Sequence, residues 1–357
     1  NVSTESSNPK TFRILDKKTV IKEMGAGINL GNTMDGGLYD SSETGWQAYK
    51  TTKDYIKALH DAGYNTVRIP VTWGSHINDD YTIDEAWINR VQEIVDYCVD
   101  QDMYAIVNIH HDGAANHDDR GNNTPACWLD TYSQNIEKVY QKYEGVWNTI
   151  ANRFKDYDEH VIFESMNEVT DAHGTATNED DAVLNALNQL FINTVRATGS
   201  NNTKRWLAIT GRFATTAAIT TMPEDTLADS GDLGTTRLMF AVHIYKSNNN
   251  VRWSYDDLKQ WQSSMSSSYK NVGNLDSNMP IYVGEYGVRT KAQNGSATGY
   301  NNAERALNYE MCAAIADFYN AVPVVWDQGT GNYLGVETEQ GLFTDWNRPE
   351  LKPVYDD

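Results

Sequence analysis

The chain has 357 residues, 40% of them apolar, with 49 acidic against 29 basic side chains and a net charge of −20. That charge repels a phosphate backbone and argues against nucleic acid as a partner. No window of about twenty apolar residues could span a bilayer, so no membrane partner is expected.

The opening stretch "NVSTESSNPK" is polar and reads as a flexible lead over residues 1–10. It lacks an apolar signal segment, as a mature chain whose export signal has been removed would, and a secreted protein is expected. From residue 11 to 357 the pattern is that of one domain. Short apolar runs occur at 25–30, 66–71, 104–111, 161–168, 205–211, 237–245, 280–287 and 322–328. Stretches with helical periodicity separate them, such as "TTKDYIKALHDAG" and "DEAWINRVQEIVDYCVDQ". The helix after the fifth run is weakly marked, with "TTAAITTM" as its best candidate. The Ser-rich "SSMSSSYKN" (263–271) reads as the close of a helix, and the short tail after residue 328 leaves room only for a short eighth helix.

Alternating β-runs and helices predict parallel strands joined by crossovers. Eight such units predict a single-domain α/β (β/α)8 TIM barrel. A doubly wound open sheet would carry a Gly-rich phosphate turn, and "GAGINLGN" has the wrong spacing for one. Cys98, Cys127 and Cys312 form no zinc or disulfide pattern, and Cys98 and Cys312 fall in apolar helical positions suited to the core.

In such a barrel the reactive side chains gather at the C-terminal strand ends. Here the second run carries Arg68, the third His110 and His111, the fourth Asn167 and Glu168. The sixth carries His243 and Tyr245, the seventh Glu285, and the eighth Trp326. Each alone suits a structural role: an ion pair for Arg68, a satisfied core imidazole for His243, a plug in the barrel mouth for Trp326. Their convergence at equivalent ends favours a site.

Glu168 and Glu285 are two carboxylates on strands that face each other across the mouth, the pairing that glycoside hydrolysis requires. One must hold a proton for the leaving oxygen while the other stays ionised to attack carbon, so their environments must separate their pKa values. Arg68 is placed to keep Glu285 ionised. Asn167 is placed to bond a sugar 2-hydroxyl, and Trp326 offers an apolar face to a pyranose. Ten Trp and 21 Tyr against eight Phe also suit a wet cleft where flat ligands stack.

"HHDGAANHDD" (110–119) competes as a metal site, with three His and three Asp. Adjacent His110 and His111 on a strand would point to opposite faces, and the loop beyond sets no ligand spacing. A solvated polar loop is the favoured reading, with no metal and no cofactor in the chemistry.

These motifs resemble glycoside hydrolase family 5, in its cellulase branch. The resemblance runs from "GINLGNTMD" (27–35) through "NTVRIPVTW", "VNIHHDG", "VIFESMNE", "HIY", "VGEYG" and "VVWDQG" to "GLFTDWNRP" (341–349). It implies a retaining endo-β-1,4-glucanase with Glu168 as acid/base and Glu285 as nucleophile. Arg68, His110, Asn167, His243, Tyr245 and Trp326 match the other active-site positions, His111 and His76 match residues of the cellulase branch, and Asn32 and Trp46 match sugar contacts. The chain departs from the pattern at Val169, where the bacterial cellulases carry proline. It departs again at "QAY" (47–49) and at "HIYKSNNN", which lacks an aromatic. The expected partner is a β-linked polysaccharide or oligosaccharide, handled by a monomer. Mixed-linkage glucan, xyloglucan and mannan are alternative substrates for the same chemistry. A non-catalytic carbohydrate-binding barrel and a metal hydrolase built on the His/Asp loop are the rivals from other classes.

Overall fold

The computed structural model describes residues 11–37, 41–46, 50–113, 127–131, 135–169, 178–217, 219, 222–229, 231, 236–245, 255–277, 279–287 and 302–327. The proposed lead over 1–10, the "QAY" loop, most of the His/Asp loop and the eighth-helix region lie outside these residues.

Eight parallel strands close into a barrel in chain order: β1 (Gly27–Asn29), β2 (Thr66–Ile69), β3 (Tyr104–Asn108), β4 (Val161–Glu164), β5 (Leu207–Ile209), β6 (Leu238–Tyr245), β7 (Ile281–Gly287) and β8 (Ala321–Val325). β8 returns to β1 through the pairs Gly27 with Val324 and Ile28 with Val325. The eight predicted runs each contain or overlap one of these strands.

Outside the ring stand α2 (Lys53–Asp61), α3 (Glu85–Val99), α4 (Ile136–Phe154), α5 (Asn178–Ala197), α6 (Tyr255–Leu275) and α7 (Asn302–Phe318), while α1 (Lys17–Met24) precedes β1. Their starts are written locally: Asp16, Thr52 and Asp84 each accept a hydrogen bond from the backbone N–H three residues on. In α3 the buried residues Trp87, Ile88, Val91, Ile94, Val95 and Cys98 recur at helical spacing and form one stripe against the strands. Full burial of each aliphatic there stabilises the fold by about 1.5–3 kcal/mol.

Two expectations change. "TTAAITTM" forms no helix among the described residues; only a short 3-10 turn, Arg212–Ala214, follows β5. Consecutive Thr residues compete poorly for helix, and Asp225 instead ties this connection down through Arg196, at 2.9 and 3.0 Å. The Ser-rich stretch lies inside α6 rather than at its close, with Met265 and Ser268 buried. Cys98 and Cys312 are buried, as expected, and Cys127 is buried too.

Alternation along each strand sorts side chains into two cores. Val107, Phe163, Leu207, Phe240 and Val283 face the helices. Tyr104, Ile106, Ile162, Ala208, Met239, Ala241 and Tyr282 fill the barrel together with Leu15, Val20 and Met24 from the N-terminal segment and α1. Continuing the inward series by two residues reaches Asn108, Glu164 and His243. The barrel is therefore apolar below and polar at its C-terminal end.

Candidate active site

β4 leaves the barrel under tight control. Ser165 O accepts from Tyr143 Oη (2.8 Å) and Trp147 Nε1 (3.2 Å) on α4, and Ser165 Oγ donates to Asn188 Oδ1 on α5 (2.8 Å). The Asn167 N–H then donates to Ile109 O (2.9 Å). These bonds anchor the segment "SMNE", so Asn167 and Glu168 reach the mouth instead of continuing the pleat.

Glu285 reaches it by another route. β6 and β7 pair Val242 with Val283 but His243 with Glu285, so Gly284 is an extra residue, a β-bulge. Strict alternation from inward Tyr282 would turn Gly284 inward and Glu285 out. The bulge reverses this, and Asn29 Nδ2 fixes it by donating to Gly284 O (2.8 Å) and Val325 O (3.1 Å).

Glu285 Oε1 accepts from Arg68 Nη1 (2.8 Å) and Oε2 from Tyr245 Oη (2.8 Å). His243 Nδ1 lies 2.7 Å from Glu168 Oε1 and 3.6 Å from Glu285 Oε2. One carboxylate oxygen of Glu168, one of Glu285 and a His243 ring nitrogen all lie within 4.8 Å of one another. The Glu168 side chain is 39% exposed and that of Glu285 only 8%. One acid thus faces the open cleft while the other is sunk in the wall.

The electrostatics differ from the sequence expectation. Burial pushes the Glu285 carboxyl above its ordinary value against the charges of His243 and Arg68, and Glu168 adds to the rise. Burial also raises Glu168, but the hydrogen bond and charge of His243, then the charges of Arg68 and His111, outweigh it and hold that carboxyl low. Arg68 serves Glu285 less exclusively than expected. Its Nε and Nη2 are bound at 2.8 and 2.7 Å by Glu164, and Nη2 also donates to Asn167 Oδ1 at 2.8 Å. Burial drives Tyr245 well above its usual range, with the Glu285 charge second, so it remains an O–H donor. Burial likewise drives His110 well below the usual histidine range, helped by the neighbouring His111, Arg68 and His243, and its imidazole is neutral.

His110 and His111 do not point apart. Both lie beyond the end of β3, where the pleat no longer applies, and their rings meet edge to face at 4.4 Å. Their Nε2 atoms lie 4.0 and 3.3 Å from the buried Asp35 Oδ2. Trp46, 40% exposed, meets the His111 ring at 5.3 Å. Trp326 is 7% exposed and lies parallel to His110 at 5.8 Å. It fits there because residue 31 is glycine: a β carbon would stand 2.7 Å from the Trp326 indole. Asn32 occupies the left-handed region, φ 59°, on the loop after β1. His76 has both ring nitrogens engaged within the protein, with Asp84 Oδ2 (2.6 Å) and Ser41 O (2.7 Å), and it stacks on Trp87 at 4.0 Å.

In the His/Asp loop Asp112 has a structural task. Its carboxylate accepts from Trp73 N (3.0 Å) and Trp128 Nε1 (2.6 Å), while burial raises its pKa to about 6. His117, Asp118 and Asp119 lie outside the described residues. Asn29, Asp35, Asn108, Glu164 and Tyr282 also belong to the site, although no motif in the sequence marks them. The available signal was a polar residue interrupting a buried run, as in "GINL", "IVNI" and "VIFES".

Known proteins similar to this chain fall in one family. Residues 23–332 match the family described as Cellulase (glycosyl hydrolase family 5). Endoglucanase A of Paenibacillus barcinonensis is 33% identical over 354 residues, covering 91% of this chain and 85% of that protein. Endoglucanase A of Ruminococcus albus is 33% identical over 340 residues, covering 90% and 87%. Among solved structures, a family 5 xyloglucanase from Paenibacillus pabuli aligns with TM-score 0.81 and 30% identity, over 94% of this chain and 98% of that one. A broad specificity endoglucanase from Ruminococcus champanellensis with bound cellotriose aligns with TM-score 0.80 and 30% identity, over 98% and 100%. With the barrel, the two facing carboxylates and these likenesses together, the chain belongs to glycosyl hydrolase family 5, the cellulase family.

Proposed function

We propose that the protein is an endo-β-1,4-glucanase that retains anomeric configuration, with Glu168 as acid/base and Glu285 as nucleophile. The observation that carries this reading is the approach of the two carboxylates: one oxygen of each lies within 4.8 Å of the other. Retaining enzymes hold their carboxyls about 5–5.5 Å apart, whereas inversion needs room for a water between them.

In the first step a Glu285 oxygen attacks the anomeric carbon as the bond to the leaving oxygen breaks, and Glu168 gives that oxygen its proton. In the second, Glu168 takes a proton from water, the water oxygen attacks the same carbon, and Glu285 leaves as carboxylate. Two inversions restore the configuration. The first step needs the site's proton on Glu168. A sugar chain that covers the exposed edge of Glu168 dries it and raises its pKa, while Arg68 and Tyr245 keep their bonds to Glu285. Once Glu285 is esterified its charge is gone, Glu168 falls again, and it is ready as the base.

Arg68, Asn167, His110, His243 and Tyr245 orient these two acids and the sugar hydroxyls, Trp326 backs the ring, and Trp46, Asn32, His111 and His76 shape the flanking loops. The substrate is a β-1,4-glucan. Xyloglucan is a second reading, supported by the likeness to the Paenibacillus pabuli xyloglucanase. We further propose a secreted monomer comprising a domain over 11–357 behind a short lead. Among the described residues no helix is long and apolar enough to cross a membrane, which accords with this reading.

The test is hydrolysis of a panel of soluble cellulose derivatives, mixed-linkage glucan, xyloglucan and mannan, with product lengths resolved and the newly formed anomer followed by NMR. The β anomer appearing first from a β-glucan, with mid-chain cuts, is expected. The α anomer appearing first would overturn the double displacement. Activity confined to mannan would overturn the substrate.

A further inference from the structure

We propose that Glu164 is a positioning residue: from below the floor of the cleft it holds Arg68 and, through Asn108, His110 in the orientations that serve Glu285. The proposal rests on Glu285 being the nucleophile.

Glu164 is fully enclosed, 1% exposed, and every partner is a donor. Oε1 accepts from Arg68 Nη2 (2.7 Å) and Asn108 Nδ2 (3.0 Å), Oε2 from Arg68 Nε (2.8 Å) and Tyr282 Oη (2.5 Å). A carboxylate offers about four such acceptor positions, and all are filled. Burial opposes its ionisation, but the Arg68 charge and these bonds hold it below the usual range.

The first arm follows from the planarity of guanidinium. With Nε and Nη2 gripped side by side, the direction of Nη1 is fixed, and Nη1 donates to Glu285 Oε1 (2.8 Å) and Asn29 Oδ1 (2.9 Å). The second arm sets a tautomer. Asn108 Oδ1 accepts from Val71 N (3.2 Å), so its Nδ2 must face Glu164 and His110 Nδ1, the latter at 3.1 Å. Nδ1 is then the acceptor, and the neutral ring carries its hydrogen on Nε2, 3.9 Å from Glu285 Oε1 and 4.0 Å from Asp35 Oδ2. A protonated Nε2 also makes the Asp35, His110 and His111 group a poor cation site.

Glu164→Gln preserves shape but removes one charge and turns an N–H toward an arginine N–H. No other group facing Glu285 is replaced: Arg68 from β2, His110 beyond β3, Glu168 beyond β4, His243 and Tyr245 from β6. Removing a negative charge next to Arg68 leaves more of its pull on Glu285, so the Glu285 carboxyl becomes more acidic.

The experiment measures the rate at which an activated 2-deoxy-2-fluoro-cellobioside with a dinitrophenolate leaving group inactivates each variant, against pH, with mass spectrometry of the labelled peptide. Wild type is expected to be labelled at Glu285. Glu164→Gln should react roughly a hundredfold more slowly, with its acid limb moved to lower pH by about half a unit or more. Glu164→Asp, which keeps the charge, should hold the wild-type limb at reduced rate. An unchanged rate and profile with only a lower Tm would make Glu164 scaffold and overturn the proposal. Should Glu164→Gln not fold, Tyr282→Phe carries the test: losing one bond to Oε2 should slow labelling about tenfold, and an unaltered rate overturns the proposal. Wild type labelled elsewhere than Glu285 would instead sink the functional reading beneath it.

Discussion

Gly284 packs so closely on His243 that a β carbon at residue 284 would stand 3.1 Å from the imidazole Nε2. The same carbon would meet Tyr282 at 3.2 Å, so it would be pressed between two residues of the site wall. His243 cannot retreat freely, because its Nδ1 is bonded to Glu168 at 2.7 Å. Gly284→Ala should therefore move the imidazole by a few tenths of an ångström and lower kcat roughly tenfold, while Tm falls by only a few degrees. Kinetics and a melting curve on the same preparation decide it; unchanged kcat would mean that the His243 bond does not position Glu168.

Replacing the nucleophile has a sharper signature. Glu285→Ala should lose turnover by roughly a thousandfold or more and keep its fold. Azide fits the vacated space and attacks the anomeric carbon from that face, giving the α-glycosyl azide and restoring part of the rate. Recovery of the β-azide would place the acid/base here instead.

Glu168→Gln should harm poor leaving groups most, since an already weak base needs no proton. Aryl glycosides of activated phenols should retain a fast first step, seen as a burst of phenol, followed by slow release for want of a base. A uniform loss across leaving groups would take Glu168 out of the acid role.

Trp326 is set tightly enough to matter twice. It is 7% exposed, parallel to His110, and its backbone N–H donates to Tyr286 O at 2.9 Å. Trp326→Ala should cost about 3–5 kcal/mol of stability and also lower kcat/KM by about a hundredfold, with Trp326→Phe milder in both. An alanine variant that melts early but keeps near-normal kcat/KM would assign the indole to the scaffold alone.

Asp112 supplies a pH test of stability. Its pKa is raised by burial from 3.8 to about 6, so the folded state prefers the protonated form. Its favourable contribution is full below about 3.8 and is lost as pH rises through about 6; at pH 7 the buried charge costs about 3 kcal/mol. Asparagine at this position is neutral throughout. The Tm of wild type relative to Asp112→Asn should therefore rise as pH falls from 7 to 4, and a constant difference would assign Asp112 an ordinary pKa.

Much of this was written locally. Eight apolar runs of strand length, caps such as Asp16, Thr52 and Asp84, and the stripe of α3 depend on neighbours a few residues away, and they predict the barrel directly. The barrel in turn places Arg68, His243, Tyr245 and Trp326 at one end, because strand direction and alternation are properties of each strand. What the sequence could not show are relations between strands. Alternation alone turns Glu285 out of the barrel; the bulge at Gly284, visible only in the pairing of β6 with β7, turns it in. Glu164 shows in the sequence only as a polar residue interrupting a buried run, and becomes the anchor of Arg68 only once β2, β3, β4 and β7 are closed around it. The pKa values of Glu168 and Glu285 were equally out of reach. They depend on burial and on charges that the chain brings within a few ångströms from positions scores of residues apart.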